Sequence, residues 1–271
     1  MSRIIRKERE SHWYHVNGEP CHQVPYADPR KGMRATTLTD ARKLNLLPSV
    51  TNVLAVKDKP MLTTWKVDQA IHSALRLTRN EGESESAFLS RIAEDAEREG
   101  IEAAAFGTLI HEQVESFNLT GAFSGTGEIL EYVAPYEKYF RERVVEVLHV
   151  EHKVVKVEVG YAGRLDLHAI ILDSEGKRRR AVLDIKTQRL KSKPKCNFYK
   201  EWEMQLAAYG DCLREPGDPL PALVSLVIPS DSPSPMEEKW WDNGLLALDA
   251  FHACHQIWCY DKDYTPKFQQ P

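Results

Sequence analysis

The stretch GRLDLHAIILDSEGKRRRAVLDIKT, residues 163–187, decides the fold. Leu165–Leu172 and Ala181–Lys186 have strand composition, and the polar segment Asp173–Arg180, carrying Gly176, joins them as a hairpin turn. Side chains alternate along a strand, so Asp184 and Lys186 share a face. Asp166, on the neighbouring antiparallel strand, can face them. Two acids on a surface hairpin with an ordinary lysine partner would also match this pattern. Against that stands position: Asp184 and Lys186 interrupt the apolar run AVLDIK, where alternation buries at least one of them. Paired carboxylates are hard oxygen ligands suited to Mg²⁺ or Mn²⁺, and a nearby lysine can orient water or offset developing charge.

Outward from this hairpin, VVEVLHVEHKVVKVEV (residues 144–159) predicts strand, and Gly160–Gly163 a turn. Downstream, a helix is expected over Trp202–Leu213, a strand over Leu223–Ile228, a turn at residues 229–236 and a last helix over Gly244–Tyr260. Upstream, Asn17-Gly18 marks a hairpin within residues 12–26, followed by a loop to about residue 36. Ser49 is a plausible N-cap for a helix opening at Val50, and Pro60 suits the first turn of a helix reaching Leu77. Helical spacing resumes over Ala87–Ala105, then over Phe106–Asn118, where Phe106, Ile110, Val114 and Phe117 form one stripe. A glycine-rich loop spans residues 119–127 before a helix over Glu128–Arg143. Helices first, then β-β-β, helix, strand, helix, gives an α/β core with a helical N-terminal portion. The expected division is a hairpin and loop extension (1–46), a helical portion (47–143), and a core (144–271) that packs with 100–143 as one domain.

Composition is that of an ordinary globular chain, 42% hydrophobic and 28% charged, with no apolar run near the length needed to span a bilayer. Met1–Ser11 is polar and lacks an apolar signal core, so a cytoplasmic protein with no membrane partner is expected. Five scattered cysteines, with no CxxC pair, disfavour a zinc ribbon or a disulfide scaffold. The net charge of -4 argues mildly against a protein that coats nucleic acid. Its distribution says more. Residues 176–200 carry ten bases against one acid, Asp184, whereas residues 81–102 carry eight acids against two bases. The basic stretch surrounds the candidate site and would draw a phosphate backbone, although a lysine-guarded sheet edge would look similar. No GxGxxG, Walker-type, HExxH or GxSxG motif occurs.

G-R-L-D followed by L-D-I-K-T resembles the core of the PD-(D/E)XK nuclease superfamily, and specifically its RecB-like exonuclease branch. Gly107-Thr108-Leu109-Ile110-His111 is similar to that branch's upstream histidine motif, and Gln205-Leu206-Ala207-Ala208-Tyr209 to its downstream Q-x-x-x-Y helix. His149-Val150-Glu151 resembles its acidic strand. Leu47-Pro48-Ser49-Val50-Thr51, with Trp65 beyond, looks like the opening of the mitochondrial-genome-maintenance exonucleases and their phage relatives. The resemblance spans residues 47–260. It departs in lacking a proline before the first acid and in the long Asp166–Asp184 interval.

The resemblance implies a restriction-endonuclease-like core, a central mixed sheet flanked by helices. It implies Asp166, Asp184 and Lys186 as catalytic residues. The metal site would be His111, Asp166, Asp184 and Ile185, holding one or two Mg²⁺ or Mn²⁺ ions. Glu151, Gln205, Tyr209, Thr187, Arg164 and Ser49 would support the site or bind substrate. Some relatives hold an iron–sulfur cluster on four cysteines flanking the core; that arrangement is missing here, so no cluster is expected. The implied activity is metal-dependent hydrolysis of DNA phosphodiesters by an exonuclease acting on single strands or ends, in repair, recombination or phage DNA processing. The alternatives are a catalytically inactive nucleic-acid-binding or assembly protein and a structure-selective flap endonuclease on the same fold. Trp65, Tyr199 and Trp202 are candidates for base stacking, or for core packing.

Overall fold

The computed structural model describes residues 12–190 and 195–267. Two compact units are present within the described residues. One spans residues 57–109; the other combines residues 12–56 with the described residues of 110–267.

The second unit opens with short elements. β1 (Trp13–Tyr14) leads into a tight turn at Gly18, whose φ of 85° suits glycine. The segment 26–36, expected as plain loop, instead carries β3 (Met33–Ala35), which pairs antiparallel with β2 (Gln23–Pro25). α1 (Leu38–Leu44) was not anticipated. It is nucleated by a capping box in which Thr37 accepts from the Asp40 main chain and Asp40 from that of Thr37. β4 (Leu47–Pro48) pairs with β1, and α2 (Val50–Leu54) follows.

In the first unit, α3 (Pro60–Arg76) begins with proline in its first turn, where the missing N–H costs nothing. α4 (Glu85–Thr120), which begins in this unit and continues into the second, is one 36-residue helix where two successive ones were expected. Ala103-Ala104-Ala105, strong helix formers, carry it across the expected junction.

α5 (Ile129–Arg143) precedes a five-stranded sheet of order β5-β6-β7-β8-β9. Its strands are β5 (Val144–Lys156), β6 (Tyr161–Leu172), β7 (Arg178–Gln188), β8 (Ala222–Pro229) and β9 (Glu237–Trp241). The pair β7–β8 is parallel and the other neighbours are antiparallel. A parallel pair needs a crossover, supplied by α6 (Lys200–Cys212). α7 (Gly244–Lys262) closes the fold. The turn placed at Gly160–Gly163 lies earlier: Gly160 has φ 100° and β6 already begins at Tyr161. β9 was not anticipated. Its charged EEKWW run has no strand signature of its own and is ordered by pairing with β8. The expected architecture, a mixed sheet flanked by helices, is the one found.

The centre of the sheet is apolar. Ala181, Val182, Leu183 and Ile185 are all fully buried, as are Val224, Leu226, Val227 and Ile228 on β8. Strands covered on both faces read as continuous hydrophobic runs. One core cluster joins Leu165, Val182 and Leu223 of the sheet to Leu206 and Tyr209 of α6 and Phe251 and Trp258 of α7. A separate aromatic group links α4 and α5: Phe117 meets Phe140 edge-on at 5.3 Å, and the Tyr136 hydroxyl donates to Asn118 Oδ1 at 2.6 Å.

Gly163 shows why a strand residue must lack a side chain here. A Cβ at this position would lie 2.5 Å from Tyr209 Cε1. Gly163→Ala is therefore expected to destabilise by about 1–3 kcal/mol through overpacking. In a Tyr209→Leu background the same change should cost clearly less. Equal costs in urea titrations of the two backgrounds would rule out the ring overlap as the cause.

Candidate active site

The β6–β7 ladder runs from the Leu172–Arg178 pair to the Leu167–Leu183 pair and ends there. Asp166 is the next residue on β6, and its carboxylate takes over from the ladder: Oδ2 accepts from the Ile185 main-chain N–H at 2.7 Å. On its other side β6 stays paired with β5. Glu151 falls between the pairs Val150–Leu167 and His152–Leu165, level with Asp166. Its φ of 47° is a left-handed conformation, costly for a residue with a side chain. Glu151, Asp166 and Asp184 thus occupy neighbouring positions on three adjacent strands.

Asp184 is 2% exposed, and Lys186, two residues on, reaches back to it. Lys186 Nζ lies 2.8 Å from both Asp184 oxygens, but hydrogen-bond geometry is met only at Oδ1. Among the described residues, Oδ2 therefore remains a buried acceptor with no hydrogen-bond partner. α6 completes the arrangement. Gln205 Nε2 donates to Asp184 Oδ1 and to the Tyr209 hydroxyl, each at 3.2 Å, and Gln205 Oε1 accepts from Lys186 at 3.3 Å. The i, i+4 spacing on α6 places Gln205 and Tyr209 on one helix face.

The electrostatics follow from burial. Desolvation pushes the Asp184 carboxyl up against the favourable pull of Lys186, and Asp166 adds to the rise. Lys186 loses to desolvation but gains more from Asp184 and Asp166, so its ammonium is held charged. His111, on α4, is lowered by burial, with Lys186 and Arg164 acting in the same sense and Asp166 opposing them. A neutral imidazole with a free nitrogen can serve as a metal ligand. Glu151 is raised to about 7 by burial, then by Asp166 and Glu115, with Arg164 opposing. Arg164 Nε forms an ion pair with Glu151 Oε2 at 2.8 Å.

The sequence-predicted residues separate into those drawn together and those placed otherwise. Asp166, Asp184, Lys186, Gln205 and Tyr209 belong to one hydrogen-bonded and electrostatic group, with His111, Glu151 and Arg164 in its field. Ile185 is fully buried and contributes its N–H to Asp166. Thr187 continues β7 opposite Ile228. Ser49 caps α2 by accepting from the Asn52 N–H at 3.1 Å, and a bridge to Ala162 sets it beside the start of β6. Tyr199 and Trp202 pack edge to face, with centroids 5.0 Å apart. Lys191 and Lys193, part of the basic stretch, lie outside the described residues. Glu115, which sequence alone leaves open as an orienting partner of His111 or a solvated acid and which is not among the predicted site residues, adds its charge to the field at Glu151. Its signal was present, four residues after His111 on the same helix. Unforeseen is a histidine group next to the site, where His149 Nδ1 lies 3.0 Å from His168 Nδ1 and the His149 and His152 rings stack at 4.1 Å.

Residues 69–239 match the family described as the PD-(D/E)XK nuclease superfamily. The chain belongs to that superfamily. A search of curated proteins gave no match. Among solved structures, a crystal structure of SSO0001 is similar at 19% identity and a TM-score of 0.27, over 77% of this chain and 89% of that one. The superfamily is generally one of metal-dependent nucleases, which act on nucleic acid and typically use divalent metals such as Mg²⁺, and membership points this chain to that class. Among the described residues, no three His, Cys, Asp or Glu side chains converge as a preformed cage, because Asp166 is turned onto Ile185 and Asp184 onto Lys186 and Gln205. The donor set nevertheless fits a hard cation: carboxylate oxygens, one of them a buried acceptor that faces the Lys186 ammonium without a hydrogen bond, beside a neutral imidazole. Among the described residues, no helix is long and apolar enough to cross a membrane.

Two outcomes follow from the buried charges. Lys186→Met should cost about 3–5 kcal/mol of stability by stranding the Asp184 charge, and adding Asp184→Asn should restore most of it; two additive losses in denaturant titrations would refute coupling. Glu151, with its folded value raised from 4.5 to about 7, destabilises the fold increasingly as pH climbs through that window. In metal-free buffer, the melting temperature of Glu151→Gln should therefore gain on that of the wild type between pH 4.5 and 7, then level off. A pH-independent difference contradicts this assignment.

Proposed function

We propose that the chain is a Mg²⁺- or Mn²⁺-dependent deoxyribonuclease of the RecB-like branch, acting as an exonuclease on single strands or DNA ends. What carries this is the linked group Asp184–Lys186–Gln205–Tyr209 beside Asp166, with His111 in its field. The order of these residues along the chain supports the RecB-like assignment, through the upstream histidine and the downstream Gln205 and Tyr209. Repair, recombination or phage DNA processing, in the cytoplasm, is the setting this reading suggests. Its domain arrangement is a helical portion, residues 47–143, serving a core over 144–271.

The residues that would hold the cation are Asp166, Asp184 and His111, with Ile185 at the same edge. When bound, it supplies positive charge against the scissile phosphate and makes a neighbouring water more acidic. The protein's own part is to place groups. Lys186 stays protonated through its two carboxylate neighbours and presents an ammonium to the attacking water or to the phosphate oxygens. Gln205 fixes the directions of both Asp184 and Lys186, since it donates to one and accepts from the other. Tyr209, its ring against Gly163, holds Gln205 from behind.

The test is digestion of end-labelled single-stranded, duplex, flapped and circular DNA, and of RNA, with Mg²⁺, with Mn²⁺ and with chelator. Release of short products from linear DNA, with circles spared, is expected in either metal and none in chelator. Asp184→Asn and Lys186→Ala should each lower the rate by about 100-fold or more. Cleavage of flaps or circles would favour an endonuclease. Binding without digestion in either metal would favour a catalytically inactive nucleic-acid-binding protein.

A further inference from the structure

Arg164 stands two residues before Asp166, on the part of β6 that has parted from β7 but still pairs with β5 through Lys153. It therefore borders the opening in which the acids gather. Its guanidinium pairs with Glu151 at 2.8 Å, yet the Arg164 side chain is 60% exposed while that of Glu151 is only 18% exposed. Glu151 also feels the negative charges of Asp166 and Glu115, and His111 feels the Arg164 charge. The other cation of the site, Lys186, is committed to Asp184 and Gln205. Asp184, which feels the Asp166 charge, has at Oδ2 a buried acceptor that faces Lys186 Nζ at 2.8 Å without a hydrogen bond among the described residues. Glu151, the acid level with Asp166, is thus neutralised by a long, solvent-accessible arm. A carboxylate group held this way is open to exchange of one cation for another.

We propose that Arg164 is an internal counter-cation that occupies the Glu151–Asp166 side of the site in the metal-free protein, gives way to a divalent cation there, and is thereby freed to engage a substrate phosphate. This rests on the metal-dependent reading of the same site. It adds that Arg164 competes with metal and so sets the concentration at which the site fills. Arginine suits the second half of the exchange, because its planar fork matches carboxylate and phosphate oxygens alike. The strained Glu151 backbone keeps the carboxylate aimed at this position whichever cation is present. Arg164 is a positioning residue on this account, and Glu151 a ligand for the exchanged cation.

The experiment measures Mn²⁺ binding to the full chain without nucleic acid, by calorimetry and by the loss of the free-ion electron paramagnetic resonance signal. The variants are Arg164→Gln, Glu151→Gln, the double substitution and Asp184→Asn, with thermal melts confirming that each is folded. Removing the competitor should tighten Mn²⁺ binding about three- to tenfold in Arg164→Gln. Glu151→Gln should weaken binding or lower the stoichiometry, and the double variant should behave like Glu151→Gln. Arg164→Gln should also lose affinity for a short oligonucleotide when Ca²⁺ is present but not in chelator. Unchanged or weaker Mn²⁺ binding in Arg164→Gln overturns the exchange, while loss of binding in Asp184→Asn would leave the metal-dependent reading standing. No Mn²⁺ binding by the wild type at all would overturn both.

Discussion

A carboxylate and an ammonium buried together in the middle strand of a sheet set the terms for everything around them. Asp184 sits where apolar neighbours exclude water, Lys186 is partly buried beside it, and the acid's charge is not tolerable without the lysine. Their partnership demands a further polar group, and Gln205 meets that demand from a helix. Gln205 is in turn held by Tyr209, and Tyr209 fits only because β6 offers a glycine at residue 163. A chain of requirements therefore runs from one ion pair through a helix to a bare position on a neighbouring strand. Such dependence is the signature of a site whose geometry is fixed before any ligand arrives.

On the opposite flank the site is held less firmly. Asp166 is satisfied by a main-chain N–H, and Glu151 by an exposed arginine and a distorted main chain. One half is thus locked by buried hydrogen bonds, while the other consists of acids whose partners can be exchanged. That asymmetry suits an enzyme that must keep a lysine in place while admitting a charged substrate.

Much of this was readable from the residues, for identifiable reasons. The β6–β7 hairpin announces itself because Val, Ile and Leu runs flank a polar turn, and β8 because both its faces are buried. Asp184 and Lys186 stand out since charges are rare within such a run. The i, i+4 pair Gln205–Tyr209 is equally visible, helix periodicity being regular. What escaped depends on partners distant in sequence. β9 is a strand only because β8 lies beside it. The role of Gly163 cannot be seen without Tyr209, and its glycine looked like part of a turn that closes three residues earlier. Glu151 carries no mark of its left-handed backbone, since nothing in HVEH forbids or demands it. α1 did leave a trace in Thr37 and Asp40, but aspartate replaces the longer acid usual in that cap.

The crossover between β7 and β8 has a chemical as well as a topological role. Parallel neighbours cannot be joined by a tight turn, so the chain must leave the sheet and return, and α6 is the route it takes. That same helix brings Gln205 and Tyr209 to the ion pair. Topology and chemistry therefore share one element: the helix that returns the chain to lie parallel to β7 also carries the amide that steadies Lys186.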